Sequence, residues 1–217
     1  RRHSHPGQSL CREILPGVRG GDGEVVPSAM NIVLIGYRAS GKTDVGKKLS
    51  ALLGRPFYDT DDLIRERTGK SVRQIVREGG WPAFRTVEKT VIAGLSGLEG
   101  AVIALGGGAV TEAENVEILK EKGFFVWLKA EAAAVIERMR GDDANEEMRP
   151  PLGNREMAEE VREMLAVRTP LYRAHADLVI DTTGRSAGQV ASEIAGAVRA
   201  GRIGADSRAG LKNTGRS

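Results

Sequence analysis

A chain of 217 residues with 41% apolar side chains is long enough for one domain with a buried core, and its aromatic residues (4%) are too scattered to build a base-stacking platform. The net charge of +3 comes from the two ends: residues 1–29 carry +1 and residues 199–217 carry +4, so the segment between them carries −2 and gives no basis for a nucleic-acid-binding face. No apolar run approaches the ~20 residues of a membrane span, no secretory leader is recognisable, and the single Cys11 cannot form an internal disulfide, so we expect a cytoplasmic protein without a membrane partner.

The two ends differ in composition from the part between them. Residues 1–29 are rich in Gly, Pro, Arg and Ser without sustained periodicity, which predicts a flexible N-terminal extension, and Met30 is a candidate for the natural start. Whether the extension belongs to the native product or to a fused neighbour stays open. Residues 199–217 predict a flexible tail, and residues 30–198 predict the folded domain.

Within this domain, short β-prone runs alternate with helical patterns, which predicts an α/β fold with a parallel sheet covered by helices on both faces. The five expected strands cover residues 31–36, 57–59, 101–105, 124–128 and 178–181. The expected helices cover residues 42–53, 61–67, 72–77, 83–95, 113–122, 132–140, 157–175 and 187–198.

The first strand is followed by the octapeptide GYRASGKT at residues 36–43, which opens an amphipathic helix. Strand, glycine-rich loop and helix are the context of a phosphate-binding P-loop, in which backbone N–H groups and the helix N-terminus hold the phosphates of a nucleotide. Lys42 would neutralise the β- and γ-phosphates, and Thr43 would give its hydroxyl to Mg²⁺. The alternative is a glycine-rich surface turn, which the flanking pattern disfavours.

Carboxylates follow the second strand, at the edge of the sheet where ligands of open α/β folds bind. Asp59 and Asp61 could order the water molecules of Mg²⁺ or accept a proton from an attacking hydroxyl. The alternative for one of them is a helix N-cap, and Asp62 is expected to be an ordinary exposed charge in the first turn.

Three glycines, residues 106–108, follow the third strand, and their lack of a Cβ favours close approach of a ligand over a plain tight turn. Arg85 and Arg168 are candidates for a guanidinium fork that binds a carboxylate. Each has an ordinary alternative: Arg85 lies three residues before Glu88 and could form a solvated ion pair, and Arg168 could be a surface charge on a long helix.

Residues 141–155 are polar and contain two consecutive prolines, which predicts a mobile lid that closes over the site and excludes water. Arg149 in this segment could reach the transferring phosphates. The alternative is an inert surface loop.

Six motifs now stand in order along the chain. They are GYRASGKT at residues 36–43, DTD at 59–61, FRTVE at 84–88, LGGGAV at 105–110, RPPL at 149–152 and RTPLY at 168–172. Over residues 30–198 this succession resembles the shikimate kinases. The resemblance implies a nucleoside-monophosphate-kinase-like three-layer fold with a central five-stranded parallel sheet. It also implies ATP- and Mg²⁺-dependent phosphorylation of the 3-hydroxyl of shikimate, a step of chorismate and aromatic amino-acid biosynthesis.

The resemblance also implies roles for individual residues. The nucleotide would contact Ala39, Ser40, Gly41, Lys42, Thr43, Asp44, Arg138, Arg149 and Arg185, with Arg138 and Arg185 near the adenine. Shikimate would contact Asp61, Arg85, Gly107, Gly108 and Arg168, with Asp61 as the base and the two arginines on the carboxylate. Mg²⁺ would bind Thr43, supported by Asp59. Lys42, Asp61 and Arg149 would be the catalytic residues.

Some positions depart from the family pattern. Arg38 and Ala39 stand in the P-loop where small residues and glycine are more typical, and Trp81 stands where glutamate is common. Pro151 stands where leucine is usual, and the segment of residues 142–148 is a few residues longer than typical. Two rival functions remain at this stage: a related small-molecule kinase of the gluconate type, and an ATP-binding regulatory module without transfer activity. A monomer is expected.

Overall fold

A single parallel sheet organises the chain. The computed structural model describes residues 30–141 and 154–200, with the backbone alone for residues 154–156. The strands are β1 Asn31–Ile35, β2 Phe57–Asp59, β3 Val102–Ala104, β4 Gly123–Lys129 and β5 Leu178–Asp181. They form one sheet in the order β2-β3-β1-β4-β5, and every pairing is parallel, which confirms the predicted five-stranded sheet.

Seven helices and one 3₁₀ turn connect the described strands. They are α1 Lys42–Leu53, α2 Thr60–Thr68, α3 Val72–Gly94, the 3₁₀ turn Ala109–Thr111, α4 Ala113–Lys120, α5 Ala132–Arg140, α6 Asn154–His175 and α7 Ala187–Arg199. The bounds lie within a few residues of those predicted.

The element α3 consists of two helices. The helices predicted at residues 72–77 and 83–95 are both present, but no loop separates them: they meet at Gly80, whose φ of 71° and ψ of 179° are not helical. This backbone conformation is essentially restricted to glycine. Pro82 follows directly after the break, where its missing N–H removes no helical hydrogen bond. The sequence therefore keeps a sharp bend inside α3 instead of a loop.

Alternating side chains of the strands divide the core into two layers. Ile32 and Leu34 pack with α1 and α7 on one face of the sheet. Val33 and Ile35 point to the other face, where they pack with α2 to α6. Because β1 lies in the middle of the sheet, both of its faces are buried, as its uninterrupted apolar sequence predicts. The three-layer architecture is confirmed.

This topology brings the ends of β1, β2 and β3 to one edge of the sheet. The P-loop follows β1, Asp59 ends β2, and the three glycines follow β3, so segments far apart in sequence meet there. Among the helices that the structure describes, none is long and apolar enough to cross a membrane.

Candidate active site

A cavity of about 380 Å³ lies at the carboxyl ends of β1, β2 and β3. The P-loop contributes Arg38, Ala39 and residues 41–44 to its wall. The other polar wall residues are Asp59, Asp61, Arg85, Glu88 and Arg168, together with the glycines at 106–108. The volume is in the range of small-molecule sites, and the wall combines a cationic loop with converging carboxylates and guanidinium groups.

The P-loop is curled around its own lysine. Lys42 Nζ donates to the backbone oxygens of Gly36 and Tyr37, both at 2.9 Å. Gly41, with a φ of 91°, is the N-cap of α1, so the first turn of the helix opens directly into the loop. Ser40 is buried, and Asp44 in the first turn of α1 lines the cavity. The loop therefore leads directly into a helix N-terminus, the kind of position at which proteins commonly bind phosphate.

Ala39 is the exception to normal backbone geometry in this loop. Its φ of 57° places it in the left-handed region, and it is the only residue other than glycine with a positive φ in the described part of the chain. The Cβ of alanine makes this conformation costly, by about 1–2 kcal/mol. Alanine at position 39, where the family pattern has glycine, therefore strains the backbone of the loop.

Thr43 and Asp59 form a pair of oxygen groups beside the loop. The Thr43 hydroxyl donates to Asp59 Oδ2 at 2.7 Å. Asp59 is also the N-cap of α2, because its Oδ1 accepts from the backbone N–H of Asp61 at 3.0 Å. The capping alternative therefore holds for Asp59, but the same carboxylate also contacts the P-loop. Asp62 pairs with Arg65 on the surface, as expected.

These oxygens suit a hard cation. Mg²⁺ binds through one or two protein oxygens while phosphates and water complete its shell. Thr43 and Asp59 offer such a pair at the mouth of the phosphate-binding loop. Within residues 30–141 and 154–200, no cluster of three His, Cys, Asp or Glu side chains could hold a metal. The donor set therefore fits a metal that is shared with nucleotide phosphates.

The ion pair between Arg85 and Glu88 is largely buried, so the alternative of a solvated pair does not hold. The Glu88 side chain is 1% exposed and that of Arg85 is 21% exposed. Arg85 Nη1 donates to Glu88 Oε2, whereas Glu88 Oε1 is buried and has no hydrogen-bond partner within the described residues. Burial raises the pKa of Glu88 to about 7 against the opposing effect of Arg85, and Asp61 and Glu112 add to the rise.

Glu88 is a site residue that sequence reasoning missed. Phe84, four residues before it, and Ile92, four residues after it, are both buried on the same face of α3. A glutamate between two core positions is a signal that could have been noticed, because an unpaired buried carboxylate is costly. The structure assigns it a contact with Arg85, whose guanidinium also lies 5.7 Å from the ring centroid of Trp81.

The three glycines lie against the other parts of the site. A Cβ added to Gly106 would be 2.9 Å from Glu88 Oε1 and 3.1 Å from Asp61 Oδ1. A Cβ at Gly107 would be 3.1 Å from the backbone nitrogen of Arg38, and one at Gly108 would overlap the guanidinium of Arg85. A Cβ at Gly106 or Gly108 would therefore displace the end of a charged side chain of the site, and only at Gly107 is the nearest atom backbone.

Arg168 lies in the cavity wall and not on the open surface. Its guanidinium is 5.7 Å from the ring centroid of Tyr37, and its Nη1 donates to the backbone oxygen of Gly107 at 3.4 Å. The same oxygen accepts from the hydroxyl of Tyr172 at 2.5 Å. Tyr172 is buried and was not predicted as a site residue; it stacks on Trp127 with ring centroids 5.9 Å apart. Arg85 and Arg168 both line this cavity.

The remaining predicted nucleotide contacts lie apart from this cavity. Arg138 donates to the backbone oxygens of Ala39 at 3.2 Å and Thr182 at 2.6 Å, so it links α5 to the P-loop and to the end of β5. Arg185 donates to Asp181 O at 3.1 Å and pairs with Glu193. Neither lines the cavity. Arg149 and most of the predicted lid lie outside the described residues.

Comparisons with known proteins agree with this geometry. A family model described as shikimate kinase matches residues 38–199. The shikimate kinase of Syntrophus aciditrophicus is 42% identical over 172 residues, which cover 76% of this chain and 88% of that protein. The shikimate kinase of Moorella thermoacetica is 43% identical over 170 residues, covering 78% of this chain and 95% of the relative.

Solved structures give the same result. The structure of shikimate kinase from Acinetobacter baumannii in complex with shikimate has a TM-score of 0.74 at 34% identity, with 82% of this chain and 97% of that one covered. For shikimate kinase from Aquifex aeolicus the TM-score is 0.66 at 31% identity, covering 81% and 99% of the two chains. With a family model over three quarters of its length and relatives above 40% identity, this chain belongs to the shikimate kinase family.

Proposed function

We propose that this chain transfers the γ-phosphate of ATP to the 3-hydroxyl of shikimate, giving shikimate 3-phosphate and ADP. The observation that carries the proposal is one cavity in which a P-loop lysine faces Asp61 and two guanidinium groups. A phosphoryl transfer to a small hydroxy acid needs three kinds of group: cations that bind the phosphates, a carboxylate that accepts the proton of the hydroxyl, and guanidinium groups that bind the carboxylate of the acid.

On the nucleotide side, the backbone of residues 39–43 would bind the phosphates and Lys42 would lie along them. The lysine is held by the loop's own carbonyl groups at 2.9 Å, so it is positioned before a nucleotide arrives. Arg138, which donates to the backbone oxygen of Ala39, and Arg185 would lie toward the adenine of the nucleotide. Arg149 is proposed as a further cation on the phosphates.

Thr43 and Asp59 would hold Mg²⁺. When bound there, the ion would neutralise negative charge on the β- and γ-phosphates. Asp59 is fixed from two sides by Thr43 and by the N–H of Asp61. Replacing Asp59 by asparagine should raise the Mg²⁺ concentration that the enzyme needs and weaken Mg²⁺-dependent ADP binding, a readout that does not require turnover.

On the acceptor side, Arg85 and Arg168 would bind the carboxylate of shikimate, and Asp61 would align the 3-hydroxyl and accept its proton. Glu88 pairs with Arg85, and the backbone oxygen of Gly107 accepts from Arg168. Contacts within the protein therefore position both guanidinium groups. Gly107 and Gly108, which line the cavity, would contact the acceptor. Action as a cytoplasmic monomer remains a prediction.

A coupled assay of ADP formation tests the proposal, with Mg²⁺ and ATP and with shikimate, gluconate or no acceptor. Turnover that depends on shikimate alone is expected. Lys42→Ala should nearly abolish it, whereas Arg168→Ala should mainly raise the KM for shikimate, and Arg65→Ala in an exposed ion pair serves as the matched control. Turnover with gluconate, or ATP binding without any acceptor-dependent turnover, would favour the rival functions.

A further inference from the structure

The P-loop carries a second cation whose side chain has no role in the mechanism above. Arg38 is the third residue of the loop, its side chain is 15% exposed, and it lines the same cavity as Lys42 and Thr43. The family pattern does not require an arginine there, so its presence needs a reason within this chain.

Arg38 is held by weak contacts. Its Nη2 donates to Glu160 Oε1 on α6 at 3.4 Å, which is long for a bond between charged groups. Its Nε and the Oε2 of Glu160 are both buried without a hydrogen-bond partner among the described residues. A guanidinium has five donors, so most of the binding capacity of Arg38 is unused in this arrangement.

Its place in the cavity is between the nucleotide and acceptor sides. The backbone nitrogen of Arg38 is the atom that a Cβ on Gly107 would approach to 3.1 Å. Arg38 also shares the ring of Tyr37 with Arg168, each guanidinium lying 5.7 Å from the ring centroid. Because Lys42, Asp61 and Arg38 line one cavity, a phosphoryl group that moves from Lys42 toward Asp61 would stay within the cavity that Arg38 lines.

We propose that Arg38 is a further catalytic residue, which exchanges its single bond to Glu160 for the oxygens of the γ-phosphoryl group during transfer. The bond between the γ-phosphorus and the β,γ-bridging oxygen breaks, a bond from that phosphorus to the acceptor oxygen forms, and the acceptor proton goes to Asp61. The guanidinium stays protonated throughout and neutralises charge on the equatorial oxygens. Glu160, whose side chain is 36% exposed, is solvated when released.

This inference rests on the proposed function, and its test separates the two. Calorimetry compares the affinity for ADP with that for a β,γ-imido analogue of ATP, in wild type, Arg38→Met, Arg38→Lys and Glu160→Gln. Arg65→Met, which removes an exposed guanidinium, is the control. Arg38→Met should weaken binding of the analogue about tenfold while the affinity for ADP changes less than about twofold, because only the analogue carries a γ-phosphoryl group.

Steady-state kinetics give the second readout. The kcat of Arg38→Met should fall about 100-fold, with partial recovery in Arg38→Lys. In Glu160→Gln, the ratio of the affinity for the analogue to the affinity for ADP should rise about threefold relative to wild type, because the carboxylate that competes for Arg38 is gone. This ratio also tests the proposal if Arg38→Met does not fold.

Equal loss of affinity for ADP and the analogue, or a wild-type kcat in Arg38→Met, would show that Arg38 only ties the loop to α6. An unchanged preference in Glu160→Gln would also overturn the proposal. Absence of shikimate-dependent turnover in the wild type would contradict the proposed function instead. The preference of Arg38 for the analogue over ADP would still be tested by the binding measurements.

Discussion

The buried carboxyl of Glu88 predicts how the stability of the protein depends on pH. The side chain is 1% exposed, pairs with Arg85 through one oxygen, and leaves the other oxygen without a hydrogen bond within the described residues. Burial outweighs the attraction of Arg85 and raises the pKa to about 7. The folded state therefore holds a proton on Glu88 over a pH range in which the unfolded chain has lost it.

The sign and size of the effect follow from proton linkage. An unfolded glutamate titrates near pKa ~4.3. The contribution of Glu88 to the free energy of unfolding is complete below that pH and is lost as the pH rises to about 7, where the folded state also ionises. At about 1.36 kcal/mol per pKa unit, the loss is about 3.5 to 4 kcal/mol for this one group. Stability should fall accordingly between about pH 4.5 and pH 7.

Glu88→Gln tests this, because glutamine keeps the shape of the protonated side chain and cannot ionise. Urea unfolding from pH 5 to pH 8 gives the free energy of unfolding of each protein, and other titrating groups cancel in the difference. The variant should gain about 2.5 kcal/mol relative to wild type between pH 5 and pH 8.

Glu99→Gln is the matched control, since Glu99 lies in an exposed pair with Lys122. Parallel curves for wild type and Glu88→Gln would refute the reasoning about burial. At pH 8, where Glu88 is ionised, Glu88→Gln should also raise the KM for shikimate without changing ADP affinity, because Arg85 loses its charged partner.

Three further predictions concern the same cavity. Gly107→Ala places a Cβ 3.1 Å from the backbone nitrogen of Arg38, so kcat in the coupled assay should fall about tenfold; full activity would contradict the contact. Tyr172→Phe removes the hydroxyl that donates to Gly107 O, so urea unfolding should show a loss of about 1 kcal/mol and kinetics a higher KM for shikimate; if neither changes, the bond has no role. Ala39→Gly relieves a positive φ of 57°, so the free energy of unfolding should rise by about 0.5–1 kcal/mol, and a lower urea midpoint would exclude strain at this residue.

The parts of the site that depend on local sequence could be predicted. The P-loop is recognisable because glycine conformations, the helix start and Lys42 all lie within eight residues of a buried strand. Asp59 and the glycines at 106–108 were placed correctly because the ends of parallel strands meet at one edge. In each case a short motif and a general rule of the fold are sufficient.

Contacts between distant segments could not be predicted in this way. The hydroxyl of Tyr172 reaches Gly107 across 65 positions, and Arg138 reaches Ala39 across 99. Helical periodicity shows which residues share a face, but not which element that face will meet. The same limit explains Glu88: a spacing of three residues from Arg85 predicts a pair, whereas its burial depends on how α3 packs on the sheet.

The helix α6 links the two halves of the site. Arg168 and Tyr172 lie one turn apart and both donate to the oxygen of Gly107, and a Cβ on Gly107 would lie only 3.1 Å from the P-loop nitrogen of Arg38. Two turns before Arg168, Glu160 on the same helix contacts the Arg38 side chain. Because a helix moves as a rigid unit, a displacement of α6 would shift the acceptor-binding arginine and the phosphate loop together. Accurate alignment of a donor phosphate with an acceptor hydroxyl needs such a common support, since a misplacement of about 1 Å can cost two orders of magnitude in rate.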